Sequence, residues 1–248
     1  MEEKLTRAKT YYKNGMASDA LDILSEHLEE HPNDAASLEL QGLILHSFQE
    51  YQLARQSIET AASIQALSPS AQLALADSYW FTEERSLATK LFNQLSRCDT
   101  LPSHLLPAIA IGLGRAQSFH AAIEVCRRSV DSDPTGHQAR YGVAFYMAKA
   151  GYPPEFVLAI MKGLVDIMPS VFHYRNAMAT LLCQLNDPDR AYLAIADASF
   201  VEIDTVTCPC CLERLTWLFD RGGDMRKSDY CQERSLIIRS DDQGGQFC

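Results

Sequence analysis

The 248-residue sequence lacks a long hydrophobic run and any surplus of positive charge. Its longest apolar stretch, residues 105–114, is far shorter than the ~20 residues that span a bilayer. No basic segment followed by an apolar run opens the chain, so no secretory signal is expected. With 22 Lys and Arg against 32 Asp and Glu, the net charge of −10 disfavours binding to nucleic-acid phosphates. We therefore expect no membrane insertion and no nucleic-acid partner.

Glycine and proline are also scarce, at 12 and 10 residues, and 47% of the chain is apolar, which is typical of a globular protein and excludes a low-complexity chain. Phosphate-loop, dinucleotide-binding, nucleophile-elbow and kinase motifs are all absent. The nearest enzyme pattern is H-x-x-E-H, at residues 27–31. Pro32 follows it directly, so both histidines fall in the last turn of a helix, where the helix dipole favours cations without any metal. We predict no enzymatic activity and no catalytic residues.

A repeat of 34 residues organises the sequence. Two columns of small residues recur at this step, and a column of large residues (Tyr11, Leu45, Tyr79, Leu113, Met147) lies between them. The first small column holds Ala8, Gly42, Ala76, Ala110 and Ala144, and the second holds Ala20, Ala54, Ala88 and Ala122. Phe156 breaks the second column, and after Pro169 the register slips by one residue. Small residues at these spacings let two antiparallel helices approach closely, which predicts one helix hairpin per repeat.

This pattern resembles the tetratricopeptide repeat (TPR) family, which is identified by the repeat length, the alternating small and large columns and a proline near each unit end. The resemblance covers residues 1–204 and implies an all-α, right-handed superhelix of about six hairpins. We place the units at about residues 1–34, 35–68, 69–102, 103–136, 137–171 and 172–204. A divergent hairpin that bears cysteines is predicted at residues 205–240, followed by a flexible tail at residues 241–248.

The resemblance further implies that the first helix of each hairpin lines a concave surface that binds a peptide or protein. The 34-residue step then predicts a groove of mixed charge with several aromatic side chains. Its predicted members are Tyr12, Lys13, Leu43, His46, Leu73, Asp77, Trp80, Phe81, Ile111, Arg115, Tyr141 and Phe145. Tyr79 already fills the packing column, so Trp80 or Phe81 is expected to turn towards a ligand. We expect an amphipathic helix or an extended apolar segment as the ligand.

Four of the eight cysteines fall in the last predicted hairpin. Cys208 and Cys211 form a C-x-x-C, the spacing with which two thiolates hold one tetrahedral zinc ion. Cys231 lies at a similar height on the facing helix and is the third candidate ligand, while Cys210 is a further candidate. A structural zinc site, a reversible thiol pair and inert thiols in a reducing compartment are the three alternatives.

Together these patterns predict a non-enzymatic scaffold or adaptor in the cytoplasm that binds a protein or peptide in its groove. Zinc is the one cofactor considered, as a structural ion. Two other classes stay open: a module that assembles with copies of itself, and a redox or metal-binding protein centred on the C-terminal cysteines. The sequence leaves the oligomeric state and the identity of the partner undetermined.

Overall fold

A computed structural model describes residues 2–241, with side chains for residues 3–240, and the regular structure in this range is entirely helical. Cys248 and most of the predicted tail lie outside the described residues. The chain divides into two compact units, residues 1–134 and residues 135–248. This boundary falls within the predicted repeat region of residues 1–204. Within the described residues, none of the helices combines the length and the apolar character needed to cross a bilayer.

The first unit contains four helix pairs, each made of two helices that are consecutive in the chain. They are α1 (Glu2–Lys13) with α2 (Ala17–Glu30), α3 (Ala35–Ser47) with α4 (Tyr51–Ile64), α5 (Pro69–Phe81) with α6 (Arg85–Ser96), and α7 (Leu106–Arg115) with α8 (Phe119–Ser132). A short 3-10 turn, Ser103–Leu105, precedes α7. The first helices of neighbouring pairs contact each other, as α3 and α5 do.

The second unit contains three pairs among its described residues. They are α9 (His137–Lys149) with α10 (Pro154–Ile167), α11 (Phe172–Gln184) with α12 (Pro188–Leu193), and α14 (Pro209–Arg221) with α15 (Met225–Asp241). A short helix, α13 (Phe200–Asp204), links the last two pairs. Helix α15 reaches Asp241, the first residue of the predicted tail.

The small columns are the places where the two helices of a pair meet. Ala8 and Ala20 have no exposed surface, and the other members of both columns in the first unit are buried as well. At Gly42 a Cβ atom would lie only 2.3 Å from Cγ1 of Ile58 on the partner helix. The columns are therefore small because the helices approach too closely for a larger side chain.

Every turn within a pair has the same backbone form. Its second residue has a φ between 56° and 80°, in the left-handed region. The residues in this conformation are Gly15, Gln49, Glu83, Gln117, Gly151, Asn186 and Gly223. The next residue donates its N–H to the carbonyl five residues back, as Met16 does to Tyr11 at 2.9 Å. This closes the first helix in the manner of a Schellman motif. The cysteine-bearing hairpin α14–α15 shares this turn, so its local architecture is that of the other pairs.

The one-residue register slip lies earlier than the sequence columns suggested. The turn between α9 and α10 has four residues, Ala150–Pro153, whereas the equivalent turns in the first unit have three. The extra residue rotates α10 by one position. Phe156 is therefore 63% exposed, and Val157 takes the buried position of the second column. The slip thus enters at this turn and not after Pro169, because the two prolines 153 and 154 fix where α10 begins.

Candidate functional site

Several residues predicted to line a groove contribute to packing within the first unit. Tyr12 packs against the apolar cluster formed by α1, α2 and α3, whereas Lys13 is exposed. Leu43 packs against the cluster that includes Ile58, and Leu73 is buried. The first helices of neighbouring pairs pack so closely that side chains near their midpoints are covered. These two leucines are therefore poorly placed to contact a ligand.

Asp77 on α5 joins side chains from three consecutive first helices. Nη1 of Arg115 on α7 donates a hydrogen bond to Oδ1 of Asp77 at 3.0 Å. On the other side, Nε2 of His46 on α3 lies 3.6 Å from Oδ2 of Asp77. That distance is too long for a hydrogen bond, and Nε2 of His46 is a buried nitrogen without a hydrogen-bond partner. Asp77 thus holds the Arg115 guanidinium in place at the edge of an aromatic cluster.

Phe81 is the centre of this aromatic cluster. Its ring stacks on Tyr51, with centroids 4.2 Å apart and planes 15° apart, and Cζ of Arg115 lies 5.2 Å from its centroid. His46 meets the Tyr51 ring edge-on at 5.6 Å. Phe81 is nevertheless 45% exposed, and Ile111, one turn from Arg115 on α7, is 51% exposed. We call the residues Tyr51, Asp77, Phe81, Ile111 and Arg115 the Phe81 surface.

Tyr51 was not among the predicted groove residues, because it begins a second helix. Trp80, which was predicted, lies about 100° around α5 from Phe81. There the guanidinium of Arg85, from the second helix of the same pair, covers its ring at 4.0 Å from the centroid. Of the two neighbouring aromatic residues, Phe81 is therefore the one that joins Asp77 and Arg115.

The second unit has its own aromatic cluster, which contains Tyr141 and Phe145 of α9. Tyr141 stacks on Tyr174 of α11 at 5.2 Å between centroids and meets His173 edge-on at 4.6 Å. Burial raises the pKa of Tyr141 to about 12. Phe145 is 40% exposed, and Nζ of Lys149 lies 5.8 Å from its centroid. Phe145 is the more accessible of the two predicted residues.

Three cysteine sulfur atoms gather at the start of α14. Cys208 is the residue before the helix, and Cys210 and Cys211 lie in its first turn. The three Sγ atoms all lie within 4.8 Å of one another, with 2.8 Å between those of Cys208 and Cys210. Cys210 is disulfide-bonded in the structure. The three cysteines can therefore act together as thiolates only after that disulfide is reduced.

Cys231 does not belong to this cysteine group. It is fully buried on α15, and burial raises the pKa of its thiol to about 12. The predicted ligand set of Cys208, Cys211 and Cys231 is thus not brought together, since the group contains Cys210 in its place. Cys210 and Cys211 both lie in the first turn of α14, which Pro209 starts. Because this turn follows Cys208 directly, the sulfur atom of Cys208 lies close to both of theirs.

The H-x-x-E-H segment has a packing role. His27 is 1% exposed, and its Nε2 lies 3.0 Å from Oδ2 of Asp34, the residue before α3. Ser37 donates a hydrogen bond to the same oxygen at 2.6 Å. Burial alone would raise the pKa of Asp34, but the hydrogen bonds from Ser37 and His27 outweigh it, and the pKa lies below its usual value. His27 therefore links the first pair to the second.

Comparisons with known proteins identify the fold. No family model matches the sequence, and no curated protein matches it significantly. Among solved structures, the C-terminal part of a TPR repeat-containing protein from Cytophaga hutchinsonii is similar, with a TM-score of 0.67, 13% identity and 96% of both chains covered. A tetratricopeptide repeat protein from Parabacteroides merdae gives a TM-score of 0.65, 16% identity and 96% of both chains covered.

A third similar structure is YrrB, described as a TPR protein with an unusual peptide-binding site. Its TM-score is 0.58 at 15% identity, over 85% of this chain and 97% of YrrB. Identities this low establish the fold and leave ligands open. The repeated helix pairs, their shared turn and these similarities lead to one conclusion: the chain has the all-α solenoid fold of the tetratricopeptide repeat proteins.

Proposed function

We propose that the chain is a non-enzymatic adaptor that binds a peptide or helix of a partner protein on the Phe81 surface. The observation that carries this proposal is that two large apolar side chains, Phe81 and Ile111, remain about half exposed beside a fixed guanidinium. Aromatic side chains and arginine are enriched among the residues that dominate binding energy in protein interfaces. The peptide-binding description of YrrB, a protein of the same fold, supports this choice of ligand.

The Phe81 surface favours an apolar ligand residue next to an acidic one. Phe81 is held flat against Tyr51, so contact with it requires little reordering of the ring. Arg115 is 38% exposed and uses Nη1 for Asp77, which leaves other N–H groups for a ligand carboxylate. Tyr141 and Phe145 form a separate candidate contact surface in the second unit, where Phe145 has the larger accessible area.

A double substitution tests the Phe81 surface. The variant Phe81→Ser with Ile111→Ser removes both apolar side chains and leaves Asp77 and Arg115 in place. The control is Leu53→Ser with Leu87→Ser, which removes similarly exposed leucines from second helices of the same unit. We expect quantitative capture from lysate to lose the partners of the parent at least about tenfold in the first variant only. Equal losses in both variants, or none in either, would contradict the proposal.

We also propose that the reduced cysteine group binds zinc as a structural ion. Cys208, Cys210 and Cys211 offer three thiolates, the ligand type that zinc prefers in such sites. Protein purified under reducing conditions should contain about one zinc ion per chain, and Cys211→Ser should lose it. Cys231→Ser is the matched control, because it removes a thiol outside the group, and its zinc content should not change. A parent protein without zinc would refute this site.

The acidic net charge supports protein partners over nucleic acids, and we place the protein in the cytoplasm without membrane insertion.

Self-assembly is the competing interpretation of an exposed aromatic surface. Light scattering at micromolar concentration separates the two: a monomer supports the adaptor, whereas an oligomer that Phe81→Ser disperses supports self-assembly.

A further inference from the structure

Cys210 is disulfide-bonded, and its partner is not one of the other cysteines within residues 3–240. Those six cysteines are all reduced, including its neighbours Cys208 and Cys211. The sequence contains eight cysteines, so one more remains, and it is Cys248. Within the chain, Cys248 is therefore the one candidate for the second sulfur atom of this disulfide.

The end of α15 lies beside the start of α14, where Cys210 is found. Oγ of Ser235 on α15 donates a hydrogen bond to the carbonyl of Pro209 at 3.4 Å. Near the end of α15, the guanidinium of Arg239 pairs with the carboxylate of Glu213 on α14. Helix α15 continues for six residues beyond Ser235, which adds roughly 9 Å along its axis. The chain that follows α15 thus starts only a short distance beyond the level of Pro209.

The segment that follows α15 is long enough to return to Cys210. The distance to be covered combines roughly 9 Å along the helix axis with about 8–10 Å between packed helices, or about 12–13 Å in all. Residues 242–248 are seven residues, two of them glycine, and when fully extended they span about 23–25 Å. Cys210 is partly exposed, so a second sulfur atom can approach it.

We propose that Cys248 is the disulfide partner of Cys210, and that this bond is a redox-controlled tether between residues 242–248 and the start of α14. When the tether forms, an S–S bond joins the two Sγ atoms. The two thiols lose two electrons and two protons to hydrogen peroxide, which becomes two molecules of water. A dithiol reverses the step, because it restores both thiols and is itself oxidised to a disulfide. In a reducing compartment such a bond is a transient switch and not a permanent link.

The tether changes both the chemistry and the stability of the last hairpin. In the open state, the three sulfur atoms of the cysteine group, which lie within 4.8 Å of one another, are all thiols. In the closed state, Cys210 is withdrawn from this set. Closure also joins positions 210 and 248, which restricts the unfolded chain and so stabilises the α14–α15 pair. The tether goes beyond the proposed zinc site and does not require it.

Disulfide mapping of the full-length chain tests the tether. The protein is oxidised with hydrogen peroxide in the presence of a metal chelator, alkylated, and digested with trypsin without reduction. We expect residues 191–214 to be linked to residues 240–248, with fragmentation placing the bond between Cys210 and Cys248. Dithiothreitol and the variant Cys248→Ser should each abolish this link. The matched control is Cys183→Ser, which removes another partly exposed thiol of the second unit and should leave the link unchanged.

Isotope mixing shows whether the bond lies within one chain. When unlabelled and ¹⁵N-labelled proteins are oxidised together, the two linked peptides should carry the same label. Links between differently labelled peptides would overturn the proposal, because the partner would then be a second copy. The absence of the link, a link that uses Cys208 or Cys211 in place of Cys210, or a small thiol attached to Cys210 would also overturn it.

Unfolding of the hairpin gives the second readout. Trp217 lies on α14, so its fluorescence in a Trp80→Phe background follows the second unit. With chelator present, oxidation should raise the denaturant midpoint of the parent and leave that of Cys248→Ser unchanged. An equal rise in both would overturn the tether, because the stabilising bond would then lie elsewhere. Zinc content is measured separately on reduced protein without chelator, so failure of the zinc site and failure of the tether can be distinguished.

Discussion

Both compact units are built from the same kind of helix pair, but they arrange it differently. The first unit repeats it four times at a constant step of 34 residues, and its candidate site is a surface built from equivalent positions on successive helices. The second unit departs from the repeat three times: an extra turn residue, a shortened α12 and a group of cysteines at the start of α14. The first unit therefore offers a surface shared by successive helices, whereas the second offers separate local features such as the cysteine group.

The two tryptophans allow the units to be followed separately. Trp80 lies in the first unit and Trp217 in the second. In a Trp217→Phe background, denaturant unfolding monitored by fluorescence reports on the first unit, and in a Trp80→Phe background it reports on the second.

The largest effect is expected from adding one methyl group to a helical glycine of the first unit. At Gly112 a Cβ atom would lie 2.2 Å from the fully buried ring of Phe92. Gly112→Ala should therefore lower the free energy of unfolding of the first unit by about 2–3 kcal/mol. Gly163 in α10 is the matched control in the second unit, because nothing lies within 4 Å of its added Cβ. Gly163→Ala should stabilise by up to ~1 kcal/mol, and destabilisation there would contradict the packing argument.

A middle-sized effect is expected at the link between the first two pairs. Asp34→Asn should lower the stability of the first unit at neutral pH by about 1–3 kcal/mol, since His27 loses its charged partner. The folded pKa of Asp34 lies below its ordinary value of 3.8, so its contribution is complete at neutral pH and is lost as the pH falls below about 5. The variant should therefore show a weaker loss of stability between neutral pH and about pH 3 than the parent. Asp131→Asn, an exposed change on α8, should leave this pH dependence unaltered.

The smallest effect concerns the left-handed turn residues, which the units share. Gln117 in the first unit has a φ of 56°, a conformation that costs a side-chain-bearing residue about 1 kcal/mol relative to glycine. Gln117→Gly should stabilise the first unit by up to about that amount. Gly151→Ala in the second unit, where φ is 80° and the added Cβ meets no atom within 4 Å, should destabilise by a similar amount. Opposite signs in the two unfolding curves confirm the backbone argument, and equal signs refute it.

The fold was predictable because its main determinant is a column of small residues that recurs in the sequence. Ala8, Ala20 and their equivalents are buried as the columns require, and the all-α TPR fold is confirmed by similar solved structures. The predicted position of the register slip was wrong, because an extra residue in a turn can be recognised only when the columns that follow it are compared. Phe156 carried the signal: a large residue in a small column indicates that the helix has rotated.

The Phe81 surface was predictable only in part. Asp77 and Arg115 are 38 residues apart, one repeat plus one helical turn, so their pairing follows from the repeat period. The choice between Trp80 and Phe81 depended on Arg85, whose side chain covers one ring and not the other. Tyr51 was missed because it begins a second helix. The break after α12 did have a readable signal, since Ser199 and Glu202 have the spacing of a helix start.

The shared turn has a consequence for how such a chain can be rearranged. Each pair of the first unit has the same three-residue turn between its helices. One pair could therefore be duplicated, deleted or exchanged for another without a new turn sequence. The four-residue turn Ala150–Pro153 differs in this respect, because a second helix joined to α9 by a three-residue turn would be one position out of phase with α10. The first unit can thus change its length by whole pairs while its helices stay in phase.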